Sequence, residues 1–505
     1  MNYRAAGDRC LYLDCGPEGV DEGVNARVHQ VARALLAGLP APATRVVPGY
    51  WNVMAEFRPE YRDGPREALA AARQADEGKA TAGRLHRVPV VYDGEDLDDV
   101  AALTGLSLGD VVRRHAVASY RVYTVGFTPG FAYLGGLDPA LAVPRLDRPR
   151  PVRAGSVALA GAQTGIYPSE SPGGWRVIGR TSLPLFDRAE AAPLLRPGDE
   201  VSFRPVDMLP APAPQPEVPA PEGEPLFEVL QAGVLDTLQD SGRWGAAHLG
   251  LAGAGALDRR ALRHANALLG NGPWATALEV TARGPVLRAL RDLTAALTGD
   301  GPSPPDGSRN ASLRLRRDEV LDLTLPGPGA RSYLAVPDGF SGWVVNWSAA
   351  TDLRAGIGGY EGRALRDGDR LVGGVPSWRR PLPRRLGLAA PPAGERLLRV
   401  HPGPQAGLFP GGAWRALLSR PFTVVAGDRM GLRLAGPRLE AERHEVVSEG
   451  VPLGSIQVPP DGQAILLLND HGTLGGYAKI AVVATRDLPV AGQLREGHTV
   501  RFRPA

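Results

Sequence analysis

Cysteine is scarce in this chain. Cys10 and Cys15 are the only two among 505 residues. Two cysteines cannot form a disulfide framework, and no second pair is present to complete a four-ligand zinc site. The sequence therefore predicts no metal centre and no disulfide-stabilised fold. We expect both thiols to be small packing residues in or beside a first strand.

Long apolar runs and a strong charge of one sign are also missing. No stretch approaches the ~20 apolar residues that cross a bilayer, and Met1–Arg4 leads into no signal-type segment. The formal net charge is +3, which for this length gives no reason to expect nucleic acid or an anionic membrane as a partner. We therefore expect a cytoplasmic protein that binds neither nucleic acid nor a membrane.

Lysine is almost absent, since Lys79 and Lys479 are the only two. Lys479 closely follows a Gly-Gly-Tyr motif that belongs to a repeat. An ammonium group is a compact point charge that a guanidinium does not replace. Lys479 is therefore a candidate catalytic residue, and its retention by chance is the alternative.

Two distant stretches of the chain follow the same order of residues. One runs from Gly155 through Gly-Gly-Trp to Leu-Arg-Pro-Gly-Asp-Glu-Val-Ser-Phe, and the other from Gly454 through Gly-Gly-Tyr to Leu-Arg-Glu-Gly-His-Thr-Val-Arg-Phe. The distance from the opening Gly to the closing Phe is the same in both. A weaker copy spans 358–371. This repetition predicts one structural unit that occurs three times.

The fold class follows from composition and pattern. Glycine (64) and proline (48) are abundant, and short alternating or apolar runs lie between them, which favours β-barrels or sandwiches. The first residues instead show a β-α-β-β-α order, which predicts a ferredoxin-like α+β layer with a further strand at 87–92. The expected divisions are an α/β domain at 1–85, a repeat unit at 86–207, a Pro/Ala linker at 208–224, and two repeat units at 225–390 and 391–505.

The densest group of polar and glycine residues lies at 161–175. This segment has too few aliphatic side chains to form core, and its glycines allow close approach of backbone N–H groups. Such a mixture of donors and acceptors suits an amide, lactam or carboxylate substrate, whereas a self-satisfied tight loop is the alternative. The candidate substrate-binding residues are Gln163, Tyr167, Ser169, Glu170, Ser171 and Trp175.

Three polar residues stand out in the second half. Asn266 falls on the apolar face of a helix that Asp258 caps, and Glu279 points away from Leu278 and Val280 on a strand. With His248, they supply an amide, a carboxylate and an imidazole. If they converge on a barrel mouth they can perform acid–base catalysis, whereas separate structural contacts are the alternative.

The last unit holds a similar polar set. It includes Arg429, Gln457 and Lys479, together with the Ser448-Glu449-Gly450 segment. Arg429 and Lys479 can bind a carboxylate or phosphate group, or can instead be members of ion pairs. No phosphate-binding G-x-x-x-x-G-K-[ST] loop, G-x-S-x-G elbow or H-E-x-x-H motif is present.

The first half resembles the KipI/PxpB family, also called allophanate hydrolase subunit 1. The resemblance rests on GF-x-PGF-x-YLGGL at 126–137 and on AG-x-QTGIYP-x-ESPGGW at 160–175. The second half resembles KipA/PxpC, or allophanate hydrolase subunit 2, on motifs that include Leu238-Gln239-Asp240-Ser241-Gly242-Arg243, Leu278-Glu279, Asp428-Arg429-Met430-Gly431 and Ile456-Gln457-Val458-Pro459. The chain thus looks like two subunits fused into one.

This resemblance implies cyclophilin-like barrels, which agrees with the repeats. It also implies the PxpB and PxpC parts of an ATP-dependent 5-oxoprolinase, which opens 5-oxo-L-proline to L-glutamate with a PxpA partner of the LamB/YcsF type. ATP, with Mg²⁺, would be the co-substrate, and an oligomeric assembly is expected. Asp258, Arg429 and Gln457 complete the candidate substrate-binding residues. We hypothesise that in this reaction His248 and Glu279 act as acid–base groups, while Arg429 and Lys479 stabilise negative charge.

Two other functions are compatible with the resemblance. The related module of urea amidolyase is a biotin-dependent carboxyltransferase, but no biotinyl Met-Lys-Met segment occurs here, so a separate carrier would be required. KipI and KipA can also act without catalysis, as regulators of a histidine kinase.

Overall fold

The computed structural model describes residues 2–75, 83–212, 217–373 and 395–505. Lys79, part of the expected linker (213–216) and most of a Pro/Arg-rich joint (374–394) lie outside these ranges. The N-terminal layer contains β1 (Asn2–Ala6), β2 (Cys10–Asp14), α1 (Glu22–Gly38), β3 (Thr44–Pro48), β4 (Asn52–Phe57) and α2 (Gly64–Gln74).

The N-terminal sheet has the order β1-β2-β4-β3, and all of its pairs are antiparallel. This is the order of a ferredoxin-like sheet in which β1 takes the edge place of the usual fourth strand. The sequence analysis missed β1. The strand expected at 87–92 is Leu85–Val90, and it pairs in parallel with a strand of the next unit.

The sequence pattern suggests Asn25 as the cap of helix α1, but the helix begins at Glu22, four residues earlier than that cap would allow. Asp21 caps it, because its carboxylate accepts the Val24 N–H at 2.8 Å. Asn25, the expected cap, is buried within the helix and donates to the carbonyls of Tyr50 and Tyr123. Asn25 therefore ties the helix to the unit that follows.

The first barrel spans 85–205. Its elements are β5 (Leu85–Val90), α3 (Leu97–Thr104), α4 (Leu108–Val117), β6 (Ser119–Val125), β7 (Ala132–Gly135), β8 (Arg150–Val152), β9 (Ser156–Ala160), β10 (Gln163–Ile166), β11 (Ser171–Gly173), β12 (Arg176–Arg180), β13 (Phe186–Asp187), β14 (Ala192–Pro193) and β15 (Glu200–Pro205). Seven strands form one sheet in the order β12-β9-β10-β7-β6-β15-β5. A bridge between Val91 and Arg180 joins its two edges.

The middle unit spans 224–373 and is built from two sheets, whereas the main strands of the first barrel form a single sheet. Its elements are β16 (Glu224–Gln231), β17 (Leu235–Gln239), α5 (Arg259–Leu269), β18 (Ala277–Thr281), β19 (Val286–Ala289), β20 (Leu293–Gly299), β21 (Ala311–Leu315), β22 (Val320–Asp322), β23 (Arg331–Ala335) and β24 (Arg370–Gly373). These strands form a four-stranded and a five-stranded sheet. Both sheets contribute side chains to one hydrophobic core, so the unit is barrel-like.

The last barrel spans 396–504. Its elements are β25 (Arg396–Pro402), α6 (Gly411–Ser419), β26 (Phe422–Gly427), β27 (Gly431–Ala435), β28 (Glu445–Gly450), β29 (Ser455–Gln457), β30 (Ala464–Leu467), β31 (Leu474–Tyr477), β32 (Lys479–Val483), α7 (Leu488–Ala491) and β33 (Thr499–Pro504). Seven of these strands close into a barrel.

The first and last barrels confirm the repeat that the sequence predicts. Each strand of the seven-stranded sheet in the first barrel has a counterpart in the last, and both have one parallel pair, β5 with β15 and β25 with β33. Each also carries a two-stranded ribbon, β8 with β11 and β28 with β31. Gly198 and Gly497 precede the closing strands with φ of 93° and 84°, a conformation that favours glycine.

The fold is thus mainly β with a small α+β layer, as expected. Short 3₁₀ turns occur at Ala41–Ala43, Pro139–Leu141, Ala247–Leu249, Ala406–Leu408 and Thr485–Asp487. No helix within the described ranges combines the length and the apolar character needed to cross a bilayer. The units are packed against each other, because one apolar cluster combines Tyr12 and Met54 of the N-terminal layer, Phe131 of the first barrel and Leu474 of the last.

Buried histidines should make the stability of this fold depend on pH. Burial lowers the pKa of His115 to about 3, and it lowers the pKa of His29 and His471 to about 4. The unfolded chain therefore binds protons as the pH falls below about 6.5, whereas the folded chain does not until the pH nears 4. The stabilisation is complete above pH 6.5 and is lost as the pH falls.

We predict that the free energy of unfolding decreases by about 2 kcal/mol per buried histidine between pH 7 and pH 5. Urea denaturation at both pH values measures the decrease, and in His115→Gln it should be smaller by about that amount. Between pH 7 and pH 8 the two proteins should show the same dependence. An equal decrease below pH 7 in both proteins would contradict the assignment.

Candidate functional site

The first barrel presents a packed aromatic face to its neighbours. The ring centroid of Phe131 lies 4.8 Å from Tyr133, 5.2 Å from Tyr167 and 5.5 Å from Trp175. Tyr167 and Trp175 are 2% and 7% exposed, and the Tyr167 hydroxyl hydrogen-bonds to the backbone of Trp175. These two predicted substrate-binding residues therefore lie in an aromatic core, where their rings position the polar groups around them.

Polar groups line the edge of this face. Tyr50 of the N-terminal layer donates its hydroxyl to Oε1 of Gln163 at 2.7 Å, and the Tyr133 hydroxyl hydrogen-bonds to Ser448 of the last barrel. Arg145 is exposed, and its Nη1 lies 3.9 Å from Oε1 of Glu445. Burial raises the pKa of Tyr133 to about 12, although the nearby positive charge of Arg145 opposes the increase.

Glu449 is the centre of the polar contacts on the last barrel. Its side chain is 1% exposed, and its Oε1 lies 3.1 Å from the Lys479 ammonium and accepts the Gln405 amide at 2.6 Å. Its Oε2 accepts the Asn52 amide at 2.8 Å and lies 3.8 Å from the Arg4 guanidinium. Two units thus supply donors to one carboxylate.

We call this set the polar seam: Tyr133, Arg145, Gln163, Ser448, Glu449 and Lys479. Ser448 and Glu449 are adjacent, so β28 carries a contact to the first barrel and a contact to the N-terminal layer on consecutive residues. The seam therefore exists only when three units of the chain are assembled. The exposed guanidinium of Arg145 and the half-buried amide of Gln163 can bind a small carboxylate or amide. The buried Glu449 carboxylate and Lys479 ammonium set the local electrostatic potential.

The other predicted residues of these two barrels differ in their exposure. Gln457 is 7% exposed, and a Cβ at Gly475 would lie 2.7 Å from its Nε2, so the Gly-Gly-Tyr motif allows this close approach. Ser169 is half-buried and Glu170 is exposed in the loop after β10. The hydroxyl of Ser171 is buried and makes no hydrogen bond within the described residues.

Glu279 belongs to a different network. It is fully buried, its Oε1 pairs with Arg429 and lies 3.5 Å from Arg331, and its Oε2 accepts from Tyr333 at 2.6 Å and from the Leu257 N–H at 3.0 Å. Burial would raise the pKa of Glu279, but the charges of Arg429 and Arg331 outweigh it, so the pKa lies below its usual value.

This network connects the middle unit to the last barrel. Arg429 also binds both oxygens of Asp470, at 2.9 and 3.0 Å. Burial raises the pKa of Asp470 to about 6 despite Arg429. Asp258 caps α5 through the Ala261 N–H and accepts the Gln493 amide at 2.9 Å. Arg429 and Asp258 therefore have structural partners in this state.

The expected convergence of His248, Asn266 and Glu279 is wrong. Asn266 donates to the Ala275 carbonyl at 2.8 Å and accepts from a neighbouring asparagine, so it fixes the end of α5. His248 is in a 3₁₀ turn, and Gly250, two residues on, approaches the first barrel. Burial lowers the pKa of His248. The three side chains have different partners on different elements, and Glu279 has no exposed surface to reach a substrate. The catalytic roles of His248 and Lys479 stay predictions.

Several residues of the seam were missed from the sequence. Asn52, Tyr50, Gln405 and Arg4 lie far from any of the motifs, and only the fold brings them to Glu449 and Gln163. Tyr133 lies within the GF-x-PGF-x-YLGGL motif at 126–137, but it was not among the predicted site residues. Within the described ranges no group of three or more His, Cys, Asp or Glu side chains is spaced to hold a metal ion.

Two family models match the two halves of the chain. The model of carboxyltransferase domain subdomains A and B matches residues 249–504, and that of subdomains C and D matches residues 1–196. The chain belongs to the carboxyltransferase domain family.

Individual relatives match each half. The chain is 38% identical to the C subunit of 5-oxoprolinase from Escherichia coli K12 over 55% of its own length and 90% of that protein. It is 37% identical to the B subunit of 5-oxoprolinase from Bacillus subtilis 168 over 39% of its length and 89% of that protein. Urea amidolyase of Lachancea kluyveri is 28% identical over 55% of this chain but only 17% of that protein.

A solved structure matches the whole arrangement. The crystal structure of TTHA0988 superposes with a TM-score of 0.89 at 42% identity, covering 98% of this chain and 99% of that one. All four units thus occur in another protein in the same arrangement. The chain combines a part similar to the B subunit of 5-oxoprolinase and a part similar to its C subunit in one polypeptide.

The buried pair of Lys479 and Glu449 should be costly to break from one side. We predict that Lys479→Met lowers the free energy of unfolding by about 3–5 kcal/mol, because it leaves a carboxylate buried without its closest cation. The double variant Lys479→Met with Glu449→Gln should recover most of that loss. Urea denaturation measures all three proteins.

Arg443→Met is the matched control. Arg443 of the last barrel pairs with Glu18 of the N-terminal layer, but its side chain is 51% exposed, so its loss should cost less than about 1 kcal/mol. A double variant that is no more stable than Lys479→Met would show that the charge of Glu449 is not what makes the single change costly.

Proposed function

We propose that this chain is the combined B and C component of an ATP-dependent 5-oxoprolinase. In this reaction the lactam C–N bond of 5-oxo-L-proline is opened by water to give L-glutamate, and ATP is converted to ADP and phosphate. The proposal is carried by one observation: a single chain resembles both the B and the C subunits of such an enzyme over nearly all of its length. A LamB/YcsF-type protein, PxpA, would be the partner.

The polar seam has the groups that this substrate requires. A lactam presents a carbonyl, an N–H and, in 5-oxo-L-proline, a carboxylate. We assign the carboxylate to Arg145, which is exposed and has one long contact to Glu445. We assign the lactam amide to Gln163, whose carbonyl is already oriented by Tyr50. Tyr50 and Tyr133 then position the donors, and Lys479 with Glu449 sets the local charge.

The sequence contains no G-x-x-x-x-G-K-[ST] phosphate-binding loop for ATP, and the described residues contain no group of three or more His, Cys, Asp or Glu side chains that could hold a metal ion. We therefore propose that Mg²⁺ arrives bound to the nucleotide and that the partner contributes to its binding. ATP would supply the driving force that a stable lactam needs. The seam's own residues bind and orient the substrate.

The test mixes the purified chain with the LamB/YcsF-type protein of the same organism, 5-oxo-L-proline and Mg-ATP. Glutamate and ADP are assayed together, and each protein alone serves as a control. We expect both products in equal amounts from the mixture only. A folded complex that yields no glutamate would contradict the proposal.

Two variants locate the reaction at the seam. Arg145→Ala should lower glutamate release by about tenfold or more, because it removes a hydrogen bond between charged groups worth about 1.5–3 kcal/mol. Gln163→Ala should lower it by about two- to tenfold, because a hydrogen bond between neutral groups is worth about 0.5–1.5 kcal/mol. Arg148→Ala, at an exposed arginine three residues along the same loop, should leave the rate unchanged. Equal rates in all three variants would place the substrate elsewhere.

A biotin-dependent carboxyltransferase is the second candidate. The family description and the similarity to urea amidolyase favour it. It requires biotin on a separate carrier protein, and the same seam would then bind urea or another amide. Carboxylation of urea by added carboxybiotin, with no glutamate from 5-oxo-L-proline, would support this function over the first. A histidine-kinase regulator would show neither activity.

A further inference from the structure

A cavity lies away from the polar seam. Its volume is about 520 Å³, and the N-terminal layer, α5 of the middle unit and the last barrel all contribute to its walls. This volume is within the range of small-molecule sites, about 300–1,000 Å³. None of the residues assigned to the seam lines it.

The walls of this cavity are strongly basic. Arg9, Arg259, Arg260 and Arg263 line it, and Glu60 is its one acidic wall residue. With neutral His264, four arginines and one glutamate give the walls a formal charge of +3. Charges of one sign repel each other at this range, so such a set is stabilised by an anion between them.

The protein itself neutralises these arginines incompletely. Arg9 lies 3.1 Å from Glu56, but Glu56 also binds Arg45 at 2.6 Å, so one carboxylate serves two guanidinium groups. Nη1 and Nη2 of Arg9 are buried and make no hydrogen bond within the described residues. Arg259 donates to the Ser241 carbonyl at 2.6 Å, a neutral acceptor.

Two indoles hold the arginines in place. The Arg259 guanidinium lies 5.6 Å from the Trp244 ring and 5.9 Å from the Trp274 ring, and Arg263 lies 5.5 Å from Trp274. Arg9 also contacts Trp244, at 6.0 Å. Such contacts fix the position of a guanidinium but leave its N–H edge free to bind an anion. Burial, together with the charge of Arg9, lowers the pKa of Arg259 to about 9.

We propose that this cavity binds a small organic molecule that carries two or more phosphate groups. The wall charge of +3 matches a diphosphate, and a guanidinium offers paired N–H donors that suit phosphate oxygens. The apolar part of the wall, Leu257, Leu453, Leu488 and Pro489, can contact an uncharged portion of the ligand. This proposal does not depend on the proposed function, because it concerns other residues.

Titration calorimetry with pyrophosphate at low ionic strength tests the site on the full-length chain. We expect saturable binding of one pyrophosphate, accompanied by a change in tryptophan fluorescence that is lost in Trp274→Phe. Arg263→Met and Arg260→Met should each weaken binding by about tenfold, because each removes a charged donor. Both arginines are exposed on α5, so these variants should fold.

The matched control is Arg415→Met. Arg415 is exposed on another helix, α6, so this variant should bind pyrophosphate with unchanged affinity. Inorganic phosphate and citrate serve as further probes, and both should bind at least tenfold more weakly than pyrophosphate. Citrate binding as tight as pyrophosphate binding would show a general anion site and overturn the assignment to phosphate. Absence of pyrophosphate binding, or equal affinity in Arg263→Met and Arg415→Met, would overturn the site itself.

Discussion

Charge buried between units is the constraint on which this structure depends. Glu56, Glu279 and Glu449 are each at most 1% exposed, and each lies where one unit meets another. A carboxylate removed from water is tolerated only when cations and hydrogen-bond donors surround it. Glu56 receives Arg9 and Arg45 from its own layer and the Leu453 N–H from the last barrel. Glu279 and Glu449 likewise take partners from two units.

Such contacts fix geometry more than they add stability. The desolvation of a buried pair roughly cancels its Coulomb attraction, so the apolar cluster to which all four units contribute supplies much of the affinity between them. The charges then allow one relative orientation, because any other leaves a carboxylate unpaired. Holding both halves in one chain also makes their association intramolecular. Both effects hold the first-barrel and last-barrel residues of the polar seam in one relative position.

The sequence was most informative where backbone geometry repeats. The spacing from Gly155 to Phe203 recurs from Gly454 to Phe502 because both segments build the same strands and turns.

Polar residues were harder to place, since their partners come from distant segments. Glu279 alternates correctly with its apolar neighbours, yet its inward direction leads to Arg429 rather than to a substrate. For Arg429 the sequence left an anion site and an ion pair open, and the structure shows an ion pair with Asp470. Nothing in the local pattern of Tyr3 and Arg4 marked β1, since most of that edge strand is exposed or half-buried.

One strand sets the distance between the seam and the basic cavity. Asn52 begins β4 and binds Glu449 at the seam, whereas Pro59 and Glu60, just beyond the end of β4, line the cavity. Five residue steps along a strand span about 17 Å. No seam residue lines the cavity, so on the two proposals above the seam and the cavity take separate ligands. Glu56, one residue before the end of β4, ties Arg9 of the cavity to the same strand, so that both sites share a single rigid element.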